Sequence, residues 1–158
     1  MFKVGIGQDS HRFDPTSEGK MLVLGGVVFE GELPLQGNSD ADVVLHSITN
    51  AVSSITGVNV IGKVSDTMCR EGITDSMEYL KVALSYLEGY QLTHVAVTIE
   101  CKTPMISPKI VQMKESISRM MGLSQKDIGI TATTGEGLTA FGRGEGIQAI
   151  SIVTALET

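Results

Sequence analysis

Apolar and polar positions alternate from Phe2 to Gly7, which predicts a first strand. Met21 to Phe29, "MLVLGGVVF", reads as a hairpin or bent strand pair broken at Gly25-Gly26. The stretch "NSDADVVLHSITNAVSSITG" opens with helix-capping residues. Its apolar positions Val43, Val44, Ile48, Ala51, Val52 and Ile55 predict an amphipathic helix ending near Gly57. A second helix is predicted over "TDSMEYLKVALSYLEGY", with Asp75 and Glu78 as a capping box and Gly89 after the last turn. Leu92 to Glu100 alternates as a strand. Pro108 and Gly122 bracket a third helix. "DIGITATT" and "IQAISIVTAL" are strands on either side of a glycine loop. No linker or repeat interrupts this order, so residues 1–158 are expected to form one α+β domain with a mixed sheet packed against helices.

Composition narrows the class without changing that picture. The chain is 42% hydrophobic and 19% charged, which suits a folded core. The formal charge of −6 and the absence of a basic stripe argue against a nucleic-acid partner. Two cysteines, Cys69 and Cys101, are too few for a disulfide framework and read as free thiols in a reducing compartment. No apolar run reaches the ~20 residues of a membrane-spanning helix, and no signal region precedes the first strand. The expected location is the cytoplasm, with no membrane partner.

Candidate chemistry gathers in two places. "GQDSHRF" sets Asp9 and His11 two residues apart, a spacing that places both on one face of a strand. "SDADVVLH" sets Asp42 and His46 four apart on one helix face. Asp9, His11 and His46 make an N/N/O donor set with an open fourth position, as in a catalytic zinc site, and Asp42 is placed to orient a ligand histidine. Ordinary surface polarity is the competing reading. His94, within a strand and without an acidic neighbour, is read as structural. In "TATTGEGLTAFGRGEGI", the hydroxyls of Thr133 and Thr134 and the amides of Gly135 and Gly137 suit phosphate oxygens. Glu136 suits a hard cation such as Mg²⁺, and Arg143 an anion. The alternative there is a glycine-rich turn with a solvated Arg–Glu pair.

The stretches "DSHRF", "GNSDADVVLH" and "TATTGEGL…GRGEGI", with "IGK", "DT" and "TP…P…QM" in order between them, resemble the signatures of the 2-C-methyl-D-erythritol 2,4-cyclodiphosphate synthase family. The resemblance implies Zn²⁺ on Asp9, His11 and His46 and Mg²⁺ or Mn²⁺ on Glu136. It implies phosphate alignment by Thr134, and substrate contacts from Ser39, Asp42, Gly62, Asp66, Thr133 and Arg143; Asn38, a catalytic candidate, can still donate a hydrogen bond to phosphate. It further implies a cytidine pocket along Cys101, Lys102, Thr103, Pro104, Met105, Ile106 and Ser107. The family is homotrimeric, with sites between subunits and with Arg143 and Glu145 toward the three-fold axis.

The implied reaction is a cyclisation. The 2-phosphate of 4-diphosphocytidyl-2-C-methyl-D-erythritol 2-phosphate attacks the β-phosphorus, CMP leaves, and a cyclic diphosphate forms in non-mevalonate isoprenoid synthesis. Three positions depart from the family pattern. Asn38 stands where a histidine is usual, Val60 where an aspartate holds the substrate diol, and Met105 where a lysine is frequent. Asn59 is the neighbouring candidate for the diol. Two other readings compete: a catalytically weak trimer that binds zinc and a nucleotide or isoprenoid diphosphate, and a zinc phosphohydrolase that uses water.

Overall fold

The computed structural model describes residues 1–158. Its strands are β1 (Phe2–Arg12), β2 (Leu22–Leu24), β3 (Val27–Phe29), β4 (Tyr90–Glu100), β5 (Ile128–Thr133) and β6 (Gly146–Glu157). Its helices are α1 (Val43–Thr56), α2 (Lys63–Arg70), α3 (Ser76–Ser85) and α4 (Ile110–Met121). A four-stranded mixed sheet runs β1-β6-β4-β5, with only β4 and β5 parallel, and β2-β3 form a separate hairpin. The α+β expectation of a mixed sheet against helices therefore holds. The helices cover one face of the sheet and close a continuous apolar core around Leu45, Ile48, Ile99, Ile117 and Ile147.

Most elements follow their local signals. Asp42 caps α1 by accepting from the Leu45 amide, and Gly57 closes it in the left-handed region. Gly122 closes α4 in the same way. The turn between β2 and β3 passes through Gly25 and Gly26, both at positive φ. Asp75 caps α3 through Met77 N, but Glu78 pairs with Lys81 at 2.8 Å and completes no capping box. The helix stops at Ser85, four residues before Gly89. α2 carried no periodic signal, because "KVSDTMCR" holds only Val64 and Met68 as apolar positions four apart and buries only Ser65.

β1 continues five residues past Gly7, so Asp9 and His11 lie on the strand itself. Its alternation is inverted relative to the usual rule. Phe2, Val4 and Ile6 face away from the helices and are 58%, 56% and 62% exposed. The inward positions are Gly5, Gly7, Asp9 and His11. A Cβ on Gly7 would lie 2.1 Å from the Ser47 carbonyl oxygen and 2.3 Å from Ala51 N. A Cβ on Gly5 would lie 2.0 Å from the Ala51 carbonyl oxygen. Backbone meets backbone here, and this contact sets the height of α1 above the sheet.

Gly7→Ala therefore forces α1 off β1. Urea unfolding is expected to show a loss of at least about 2 kcal/mol, at the upper end for overpacking a core. An unchanged midpoint contradicts the contact.

Candidate metal centre and phosphate-side pocket

Three donors converge at the junction of β1 and α1. Asp9 Oδ2 lies 3.1 Å from His11 Nε2 and 3.1 Å from His46 Nδ1. One donor atom from each residue falls within 4.8 Å of the other two. Tetrahedral coordination at about 2.0–2.2 Å needs donors roughly 3.3–3.6 Å apart, so small side-chain adjustments complete a metal site. The donor set, two imidazoles and one carboxylate, fits a divalent ion and leaves a fourth position open. A cavity of about 290 Å³ adjoins the triad, walled also by Asn38, Ser39, Gly62, Asp66, Cys69 and Tyr79. The structure thus gathers seven of the sequence-derived positions. Ser65, Cys69 and Tyr79 join them from α2 and α3, and nothing in their local sequence signalled it.

Burial raises the Asp9 carboxyl, but hydrogen bonds from His11 and His46 outweigh it and hold Asp9 below its ordinary 3.8. The Asp9 partner raises His11 above its ordinary 6.5 against the opposing effect of burial. His46 is fixed from its other side. Its Nε2 lies 2.7 Å from Ser76 Oγ, and Ser76 Oγ in turn donates to Asp40 Oδ1. Asp40 also accepts from Ser76 N and Asp42 N, both at 3.1 Å.

Asp42 does not orient His46 and does not line the cavity. Its carboxylate is fully buried and taken up by backbone amides: Gly25 N at 2.9 Å, Gly26 N at 2.7 Å and Leu45 N at 3.0 Å. Burial pushes this carboxyl up to about 6 despite those three donors. It ties the β2-β3 turn to the start of α1. The group that meets His46 Nε2 is instead Ser76 Oγ, which local spacing could not reveal because Ser76 is 30 residues from His46.

The remaining positions lie at the other edge of the sheet. Cys101, Lys102, Pro104, Met105, Ile106, Ser107, Thr133 and Thr134 line a shallow pocket of about 200 Å³, and Thr103 is exposed beside it. Burial pushes the Cys101 thiol up to about 11, so it packs rather than reacts. Glu136 is exposed on the turn Gly135–Gly137 with φ 51°, and lines neither cavity. Arg143 lines neither one and pairs with Glu145 at 3.3 Å. Val60 is fully buried in the core, and Asn59 is exposed outside the cavity, so neither presents a side chain to the metal-side cavity. Asp9, Ala149, Ile99 and Ala132 stand in register across four strands. Three strand spacings, about 14 Å, therefore separate the two half-sites within one chain.

The metal-free centre has a defined pH response. His11 contributes stability that is complete below 6.5 and lost as pH rises through its raised folded value. Asp9 contributes stability present above 3.8 and lost as pH falls through its lowered folded value. The melting temperature of metal-free protein is expected to fall as pH rises above 6.5, and Asp9→Asn to abolish that fall. A decline of equal size in the variant contradicts the pairing.

Comparison with known proteins places this geometry. The model of the YgbB family matches residues 2–156. The 2-C-methyl-D-erythritol 2,4-cyclodiphosphate synthase of Chlamydia muridarum is 45% identical over 99% of this chain and 89% of its own length. That of Chlamydia felis is 46% identical over 99% and 90%. Among solved structures, a synthase of the same name in its CDP-bound form superposes with a TM-score of 0.86, at 31% identity over 98% of this chain and all of its own. The bifunctional IspDF of Campylobacter jejuni gives 0.89 at 30% identity, with this chain spanning 43% of its length. With fold and sequence in agreement along the whole chain, it belongs to the YgbB family, that of the 2-C-methyl-D-erythritol 2,4-cyclodiphosphate synthases.

Proposed function

We propose that this chain, as a single synthase domain over residues 1–158, closes the cyclic diphosphate by attack of the substrate's own 2-phosphate on its β-phosphorus, releasing CMP. The enzyme class is a phosphorus–oxygen lyase. The observation that carries the reading is the Asp9–His11–His46 triad opening onto a polar cavity, in a chain 45% identical to a named synthase. Asp9, His11 and His46 would hold Zn²⁺, and Glu136 would hold Mg²⁺ or Mn²⁺. When bound, the ions supply positive charge against the repulsion between the two phosphate groups.

The chain's own groups do the rest. Asn38 and Ser39 offer donors to phosphate oxygens, and Thr133 and Thr134 align the diphosphate from the other half-site. A phosphate monoester is largely dianionic at neutral pH, so no strong general base is required. Holding the two reacting groups together is worth up to about 7–11 kcal/mol in favourable intramolecular cases. The Cys101–Ser107 loop is proposed as the cytidine pocket, in keeping with the CDP bound to a solved synthase. Asp66 and Ser65 are the polar side chains of the metal-side cavity nearest the buried Val60 along the chain, which leaves them to meet the substrate diol.

Two features support a homotrimer with sites between subunits. The half-sites stand about 14 Å apart in one chain. The sheet face opposite the helices is apolar and uncovered at Phe2, Val4, Ile6 and Ile152. No helix is long and apolar enough to cross a membrane, and both cysteines are free, in keeping with a cytoplasmic enzyme.

Phosphorus NMR with the cytidyl substrate, Zn²⁺ and Mg²⁺ is expected to show cyclic diphosphate and CMP in equal amounts. Orthophosphate release points to hydrolysis and overturns the reading, as does unchanged substrate with zinc bound. Light scattering is expected to give three times the 16.8 kDa chain mass. Ile6→Asp, which puts a charge on the uncovered sheet face, is expected to lower that mass and activity together. A monomeric, fully active wild-type protein contradicts the shared site.

A further inference from the structure

We infer that Ser76 and Asp40 are positioning residues that set which nitrogen of His46 carries the proton, and so leave Nδ1 free for the metal. The inference rests on the metal reading of the triad. It follows from counting donors and acceptors along one chain of contacts.

An ionised carboxylate only accepts hydrogen bonds. Asp40 Oδ2 accepts from Ser76 N at 3.1 Å, and Oδ1 accepts from Asp42 N at 3.1 Å and from the Ser76 hydroxyl. The single hydroxyl proton of Ser76 is thereby spent on Asp40. What Ser76 Oγ has left to offer His46 Nε2, 2.7 Å away, is a lone pair. Its Nδ1, 3.1 Å from Asp9 Oδ2, faces the triad and is the nitrogen that a metal there would take. With that metal in place, His46 carries its proton on Nε2, toward Ser76 Oγ. Ser76 is fully buried and His46 nearly so, so water does not compete readily for either partner. Ser76 is also the first residue of α3, held by the Asp75 cap, so the hydroxyl is carried on a fixed helix end. Partners of this kind behind a metal-bound histidine fix its tautomer and orientation, and their loss costs roughly 10–100-fold in metal affinity.

Two substitutions read this polarity differently from packing. Ser76→Ala removes the acceptor and leaves the Nε2 proton unpaired. Asp40→Asn keeps size but has one oxygen for three donors, Ser76 N, Asp42 N and the Ser76 hydroxyl. Whichever way it turns, its NH₂ meets a backbone N–H, and the hold on the Ser76 hydroxyl weakens. The released hydroxyl can donate to Nε2, which favours the proton on Nδ1, against the metal.

The test is zinc affinity by chelator competition, together with ¹⁵N chemical shifts of the His46 ring in the zinc-loaded protein. Wild type is expected to show a protonated Nε2 and a metal-bound Nδ1. Both variants are expected to lose roughly 10–100-fold in zinc affinity, while the metal-free proteins remain folded. Unchanged zinc affinity in Ser76→Ala and Asp40→Asn overturns the inference and leaves the metal reading intact. So does a wild-type His46 bound through Nε2. A wild type that takes up no zinc removes the metal reading itself, and the inference with it.

Discussion

The contact on which the site depends is the approach of α1 to β1 over bare backbone. Two inward positions of β1, Gly5 and Gly7, have no room for a side chain because the Ser47 and Ala51 backbone occupies that space. The following inward positions are Asp9 and His11, reached by the same alternation. His46 immediately precedes Ser47 on α1. The glycines bring the helix down, and the histidine arrives at the height of the carboxylate. Ser47 Oγ, 2.6 Å from Ser151 Oγ on β6, ties the same helix turn to the neighbouring strand. The Asp9–His11–His46 cluster is thus a consequence of strand–helix packing rather than of a flexible loop.

The start of α1 is held with comparable rigidity. Asp42 joins the helix to the Gly25-Gly26 turn, and Asp40 joins the preceding loop to α3 through Ser76. Cys69 Sγ donates to the Asn38 carbonyl, so α2 also supports this loop. Three elements distant in sequence converge on the segment that carries Asn38 and Ser39. On the opposite edge, β5 ends in Thr133 and the glycine turn with Glu136. There the Glu100 carboxylate accepts from Thr139 and braces the turn. The sheet acts as a spacer between the two polar ends. Its face opposite the helices is apolar and uncovered at Phe2, Val4, Ile6 and Ile152.

The local sequence was most informative where a signal lies within a few residues. The α1 cap and glycine stop, the Gly-Gly hairpin and the α4 boundaries were all legible, and so was the Asp9–His11–His46 set. α2 was not, because a helix of eight residues with two apolar positions and one buried residue has no periodicity to read. Asp42 misled for a physical reason. Four-residue spacing places it on the His46 face, yet a helix cap is spent on backbone amides and cannot also serve the imidazole. Ser76, which meets the imidazole, is 30 residues from His46 and 36 from its own partner Asp40, a relation only the folded chain displays. The apolar alternation of the first strand reaches only to Gly7. The strand runs on through Asp9 and His11 to Arg12, where Gln8 and Ser10 on its outer face give no apolar signal.

The central claim is that α1 docking on β1 builds a metal site from Asp9, His11 and His46. Cys69 also lines that cavity, so X-ray absorption at the zinc edge is the most direct test. The account predicts a shell of nitrogen and oxygen at about 2.0–2.2 Å with two imidazoles. A sulfur scatterer at about 2.3 Å, or a shell lacking imidazole, would contradict it.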